Sequence, residues 1–241
     1  MLNRIKLRLV QITELIRSKG WSGFVQNVIF YNRTFVVVEK DLTQVTERPG
    51  PLASSNLKLI EIDKDMLSSG DYRFAVPSRY LKALSYVRRG YKGHGLVRDH
   101  VVVGDTWYYV WDTTNDPRPL HRDFRRFGFK TWQSSYVYTF DIFVAPEYRS
   151  GGVSAAFQNN AMLALRSKGY AKAFGFYMAD NVRAQWCTRV MNRWKEVKKV
   201  SVSRFLIFTR VTQPAKPGPL LPKKTEPRIP TAEVKTARFH S

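Results

Sequence analysis

Residues 136–211 constrain the fold most, because their hydrophobic pattern alternates strand, helix, strand, helix, strand. Residues 136–144 are β-rich. Over 153–168, Val153, Phe157, Ala161 and Ala164 share one helical side, and Gly169 is placed to stop the helix. Residues 171–178 read as a strand and 182–194 as a helix capped by Asp180 or Asn181. Residues 205–211 read as a last strand. This order predicts an α/β fold whose central strands are parallel wherever a helix crosses over.

Upstream, residues 34–38 and 57–62 read as strands, separated by the break Arg48-Pro49-Gly50-Pro51. Residues 79–89 read as a helix with Tyr80, Leu81, Leu84 and Val87 close to one face. Two β-rich runs around Gly104-Asp105 predict a tight hairpin there. A polar loop over 113–135 carries Arg118, Arg122, Arg125, Arg126 and Lys130.

Residues 3–19 form a basic amphipathic pattern on Ile5, Leu9, Ile12 and Ile16, and 23–31 a second helical stretch. The pair either packs on the main domain or docks on an anionic membrane face through Trp21 and its cations. From residue 212 the composition changes: six of the twelve prolines lie between Pro214 and Pro230, beside Lys223 and Lys224. A flexible, Pro/Lys-rich tail is expected over 212–241.

The net charge of +21 favours an anionic partner: nucleic acid, an anionic membrane, an acidic protein or a phosphate-rich small molecule. One cysteine, Cys187, allows no intramolecular disulfide and no cysteine-rich zinc site. Its expected role is packing. His94, His100 and His121 do not fall at metal-ligand spacing, so no metal is expected. A cytoplasmic location, or one peripheral to the membrane, fits this usage. No apolar run approaches the roughly 20 residues of a membrane span.

Chemistry concentrates between Phe143 and Ser154. A strand ends, Pro146 stops its ladder, and Ser150-Gly151-Gly152-Val153-Ser154 opens a helix. The first helical turn leaves backbone N–H groups unpaired, and the helix dipole adds positive potential. Small residues let a ligand's phosphates approach the backbone, and Arg149 adds a permanent charge, so the segment suits a pyrophosphate. Gly-x-Gly-x-x-Gly spacing is absent, as is a Lys-Ser or Lys-Thr pair after the loop, which disfavours dinucleotide and P-loop readings.

The stretch resembles the acetyl-CoA signature of the GNAT superfamily, Gln/Arg-x-x-Gly-x-Gly/Ala. Arg149 stands at its first position, Gly152 at its central glycine and Ser154 at its last small residue, where Gly or Ala is usual. Val144-x-Pro146-x-Tyr148-Arg149 is similar to the end of that family's fourth strand. Asn181-Val182-Arg183-Ala184 resembles the Asn-x-x-Ala that opens its following helix. The resemblance is strongest over 136–194. It implies a mixed central sheet with flanking helices and an acyltransferase domain over 57–211, behind an extension over 1–56.

It further implies acetyl-CoA as acyl donor. The pantetheine arm would lie along the backbone of Ile142, Phe143 and Val144, in the gap before 171–178. The pyrophosphate would sit on the N–H groups of Ser150, Gly151, Gly152, Val153 and Ser154. Asn181 would touch the arm or simply cap its helix.

The implied reaction is direct acyl transfer to an amine, which requires loss of an amine proton and donors for the developing oxyanion. Asp141, flanked by apolar residues, is the candidate base, or else a carboxylate paired with a nearby arginine. The tyrosine that many members carry seven residues after the Asn is replaced by Thr188, and the Gly-Phe that usually follows by Asn192-Arg193-Trp194. Tyr177 is the substitute candidate acid. Two rival readings stay open: an acyltransferase using a longer acyl-CoA or an acyl carrier protein, and a GNAT-like binding protein without turnover that contacts nucleic acid or an anionic membrane.

Overall fold

The computed structural model describes residues 30–47, 50–110, 134–205 and 208–212, with positions 10, 12–14, 16, 17 and 21. Of the expected 3–19 helix, the described positions from Val10 to Arg17 are helical. The expected helix over 23–31 lies outside the described residues up to position 29, and Phe30 and Tyr31 belong to a strand. The loop at 113–133 and the tail from 213 also lie outside them.

The described residues form one mixed sheet of nine strands. In chain order the elements are β1 (Phe30–Asp41), α1 (Pro51–Ser54), β2 (Lys58–Ile62), α2 (Lys64–Ser69), β3 (Arg73–Phe74), α3 (Pro77–Val87), β4 (Lys92–Arg98) and β5 (Val101–Val110). There follow β6 (Tyr136–Val144), a single 3-10 turn (Pro146–Tyr148), α4 (Val153–Ser167), β7 (Lys172–Met178), α5 (Val182–Gln185), β8 (Lys195–Phe205) and β9 (Phe208–Thr212). Eight strands run in the order β2-β4-β5-β6-β7-β1-β8-β9, and β3 pairs with β5.

β1 lies inside this sheet, antiparallel to β7 on one side and to β8 on the other. Its run Phe35-Val36-Val37-Val38 is buried because both faces of the sheet are covered there. A strand assigned to the N-terminal extension therefore belongs to the main sheet, which does not begin at residue 57.

The expected hairpin at Gly104-Asp105 is not one. β5 runs straight through both residues, and the chain reverses at Asp99 and His100, whose φ values are 48° and 62°. Two left-handed residues match the twist of a two-residue hairpin. Gly104 serves close approach instead: a Cβ there would meet the Phe143 carbonyl oxygen at 2.9 Å. The partner strand β4 lacks a β-branched run, and its Gly93 makes room for Trp107, which a Cβ would meet at 2.9 Å.

Two further boundaries shift. The helix expected to reach residue 194 ends in a π turn, Trp186–Met191. The Asn192 side chain draws the chain back by donating to the carbonyl oxygens of Ala155 and Cys187, both at 3.1 Å. Arg193 then takes φ 52°, and Trp194 enters the core at the start of β8. The strand expected over 205–211 divides: Phe205 ends β8, and Phe208–Thr212 form the antiparallel partner β9.

α4 packs Ala161, Met162 and Leu165 on one face of the sheet, against Val36, Val38, Tyr108, Val137 and Trp194. α3 covers the other face with Ala83 and Tyr86, against Trp107, Tyr138 and Phe140.

Candidate functional site

β6 and β7 pair in parallel only at Tyr136↔Lys172, Val137↔Ala173 and Tyr138↔Phe174. Thr139 Oγ1 donates to the Phe174 carbonyl oxygen at 3.1 Å, the last link before the strands part. Just beyond, β6 carries a bulge: two residues, Asp141 and Ile142, stand opposite Thr106 alone. Asp141 sits in the left-handed region at φ 53°. A bulge bends its strand and re-aims side chains. Ile142 is 44% exposed as a result. Among the described residues no strand pairs with β6 on the β7 side past Tyr138. Past that point the β6 edge at Ile142 borders the gap, while Phe143 pairs with Asp105 of β5 and the Val144 carbonyl oxygen is taken by Arg149.

The gap holds a cavity of about 410 Å³. Gln158, Ala161 and Met162 of α4, Asn181 and Ala184 around α5, and Thr188 and Trp194 line it from the α4 side. Phe35, Tyr86, Phe140, Phe176 and Met178 line it from the other.

The glycine turn lies at the end of β6. Gly151 and Gly152 take φ 60° and 80°, and α4 starts at Val153 with no side-chain cap. Val153 N–H is spent on the Ser150 carbonyl oxygen at 3.2 Å. Among the described residues, the N–H groups of Ser150, Gly151, Gly152 and Ser154 meet no protein acceptor. A Cβ on Gly151 would meet nothing within 4 Å, so that side of the loop is open. Arg149 folds back on the strand end: its Nε donates to the Val144 carbonyl oxygen at 2.7 Å, and its guanidinium lies 5.7 Å from the centre of the Phe143 ring.

Asn181 caps α5 by accepting from Ala184 N–H at 3.0 Å, and it also lines the cavity. Thr188 lines the same cavity but is buried against Gln158, at 3.5 Å.

Asp141 is not placed as a base. Arg79 Nη1 donates to its two oxygens at 3.0 and 3.2 Å, Lys82 Nζ lies at 2.8 Å, and the Tyr86 hydroxyl donates at 2.9 Å. Burial alone would raise its pKa, but the positive charges of Arg79 and Lys82 outweigh burial and hold it well below the usual carboxylate range. A carboxylate so stabilised is a poor proton acceptor. Arg79, itself buried, also grips Asp105 through Nε at 2.8 Å and through Nη2, and Trp107 Nε1 donates to the same carboxylate at 2.6 Å.

Tyr177 is not a free acid either. It lines the cavity, but its hydroxyl donates to Glu196 at 2.6 Å. Burial first, and then the Glu196 bond, push its pKa upward. Cys187 is packed beside Gln158, and burial raises its thiol to about 11. Among the described residues no three His, Cys, Asp or Glu side chains gather as a metal site.

Arg79, Lys82 and Tyr86, which hold Asp141, are residues of this site that the sequence analysis does not single out. The periodicity sets Tyr80, Leu81, Leu84 and Val87 close to one face of α3, yet its buried residues are Ser78, Arg79, Ala83 and Tyr86, and Tyr80 is exposed. The spacing 79, 82, 86 does fall on one helical face, which was the available signal.

No family model matches the sequence, and no curated protein matches it. Solved structures do match in shape. The GCN5-related glucosamine N-acetyltransferase region of a fungal multi-domain GH3 β-N-acetylglucosaminidase superposes with a TM-score of 0.52 at 11% identity, covering 81% of this chain and 22% of that one. A putative GNAT-family acetyltransferase from Novosphingobium aromaticivorans gives 0.44 at 11% identity, covering 72% and 64%. A Drosophila protein gives 0.45 at 11% identity, covering 79% and 57%. The chain thus spans between 22% and 64% of the length of these three structures. The parted parallel strands, the glycine turn on α4 and the first of these superpositions define the class: the chain has the GNAT acetyltransferase fold.

Proposed function

We propose that this chain binds acetyl-coenzyme A in the gap between β6 and β7 and transfers the acetyl group to an amine. The observation that carries the reading is the set of unpaired N–H groups at Ser150, Gly151, Gly152 and Ser154, placed at the end of the strand that borders the gap. Donors of this kind at a helix N-terminus favour phosphate. The residues suit the donor: the cradle for its diphosphate with the terminal nitrogens of Arg149, and the β6 edge at Ile142 with the Asn181 amide for its arm. When bound, acetyl-CoA supplies a thioester; the amine nitrogen forms a bond to its carbonyl carbon, the C–S bond breaks, and the displaced proton ends on the thiolate. The β6 edge then offers N–H groups to the carbonyl oxygen. Asp141 holds Arg79, Lys82 and Tyr86 in place instead of removing the proton.

Calorimetric titration with acetyl-CoA at low salt tests this. Gly151 has a left-handed φ that Asn and Asp tolerate, and open space beside it. Gly151→Asp is expected to abolish binding by setting a negative charge in the cradle, while Gly151→Asn retains it. Absence of any binding by the unaltered protein would end the proposal. Titration with longer acyl-CoAs, and with an acyl carrier protein, sets the donor preference.

A second reading is donor binding without turnover. It is supported by Thr188 in the usual tyrosine position and by the engagement of Tyr177 with Glu196. In that reading the charge of +21 serves an anionic partner, nucleic acid or membrane. Acetyl-CoA binding with no thiol release across an amine pool, together with nucleic-acid affinity that falls steeply with salt, would select it.

A further inference from the structure

We infer that the acceptor is a primary amine carried on an aromatic body, and that the site favours its neutral form by desolvation. The inference rests on the donor reading above.

The gap between β6 and β7 opens on both faces of the sheet, and the two faces differ. The donor cradle stands at the N-terminus of α4, so the donor reaches the gap from the α4 face, and the acceptor is left the α3 face. That face is walled by Phe35, Phe140, Phe176, Tyr86 and Met178. Phe35 and Phe176 meet edge to face with centroids 5.3 Å apart, and Phe140 meets Tyr86 in the same way at 5.3 Å. Such walls accept a flat ring by edge and face contacts.

The charges on this face point the same way. Asp141 is the one carboxylate among the described residues lining the cavity, and Lys82 the one cation. Asp141 already receives Arg79, Lys82 and the Tyr86 hydroxyl. Arg79 and Lys82 balance Asp105 and Asp141, so this cluster is neutral and leaves no free carboxylate for a polycation. An ammonium entering here would lose water, and the neutral Lys82–Asp141 pair returns no net attraction to replace it. Desolvation of this kind lowers an amine's pKa. The wall therefore supplies a neutral nucleophile without a dedicated base, which fits the engagement of Asp141.

The experiment uses tryptamine, phenethylamine and spermidine. Each is titrated calorimetrically into the full chain without a donor, and each is then assayed for thiol release from acetyl-CoA. The two aromatic amines are expected to bind and to exceed spermidine in kcat/KM. Phe176→Leu is expected to weaken their binding on the order of tenfold, the scale of a lost apolar contact in a pocket. Its acetyl-CoA affinity should stay within about twofold, since Phe176 lies away from the cradle. Preference for spermidine, or no aromatic amine binding, overturns the inference. Failure of acetyl-CoA to bind would sink the donor reading alone, because direct amine binding decides this one separately.

Discussion

Arg79 on α3 grips both ends of Asp141 on β6, by Nη1 to the carboxylate oxygens at 3.0 and 3.2 Å and by Nη2 to the main-chain carbonyl at 3.2 Å. These contacts fall on the residue that carries the bulge at φ 53°. A left-handed non-glycine residue costs roughly 1–2 kcal/mol, and these bonds offset that cost. The bulge, and with it the β6 edge at Ile142, is thus held from the opposite layer of the fold.

Asp141→Asn should therefore act on stability and geometry more than on proton transfer. Asn keeps the backbone conformation but removes the charge that Arg79 and Lys82 face. A loss of about 2 kcal/mol is expected, the scale of hydrogen bonds to charged groups. The folded pKa of Asp141 is depressed, so its stabilisation is full above the unfolded value of 3.8 and is lost as pH falls below it. Urea midpoints for the two proteins should therefore differ at pH 7 and converge below pH 4. If the variant is as stable as its parent at pH 7 but loses all thiol release, the clamp role is wrong and a base role returns.

Gly175 stands at the vertex where β6 and β7 part. A Cβ there would lie 3.1 Å from Thr139 Oγ1 and 3.3 Å from the Thr139 carbonyl oxygen. Gly175→Ala should push the strands apart by a few tenths of an ångström, at about 1 kcal/mol. A melting temperature lowered by about 2–4 °C, with acetyl-CoA affinity reduced several-fold, is expected. Unchanged donor affinity would mean that the vertex does not set the width of the gap.

What was legible in the sequence was local. Strand Tyr136–Val144, the helix after Gly152 and the strand ending at Met178 each carry their own period and stop signals, and the glycine turn announces its unpaired N–H groups. What was not legible depends on residues far apart in the chain. β1 pairs with β8 across residues such as Phe30 and Phe205, and no local pattern tells which strand lies between β7 and β8. Arg79 meets Asp141 across 62 positions, so the sequence allows an arginine partner for Asp141 without naming which one or choosing that role over a base. Gly104-Asp105 imitated a turn because a glycine needed for close approach and a buried aspartate share the composition of one.

Cys187 should be unreactive while the protein is folded. Burial raises its thiol from 9.0 to about 11, which lowers the thiolate fraction at neutral pH by about a hundredfold. Alkylation by iodoacetamide at pH 7.5 is expected to be slow in buffer and fast in denaturant. Cys187→Ser should leave acetyl-CoA binding intact. Rapid modification of the folded protein, prevented by acetyl-CoA, would instead place the thiol in the donor site.

His94 sets the last expectation. Its ring is stacked on Tyr108 at 5.2 Å, and among the described residues neither of its nitrogens has a hydrogen-bond partner. Burial, aided by Lys168 and opposed by Glu61, lowers its pKa from 6.5 to about 4. The unfolded chain takes up this proton near pH 6.5 and the folded chain only near 4, so folding loses stability as pH falls between those values. At 1.36 kcal/mol per pH unit the full loss is about 3 kcal/mol. His94→Phe keeps a ring against Tyr108 and removes both the proton site and two unsatisfied nitrogens. It should match or exceed the parent in urea midpoint at pH 7, and its advantage should widen steadily from pH 6.5 to 4. Parallel curves over that window would mean that the imidazole finds a partner when charged, and that its burial carries no proton-linked cost.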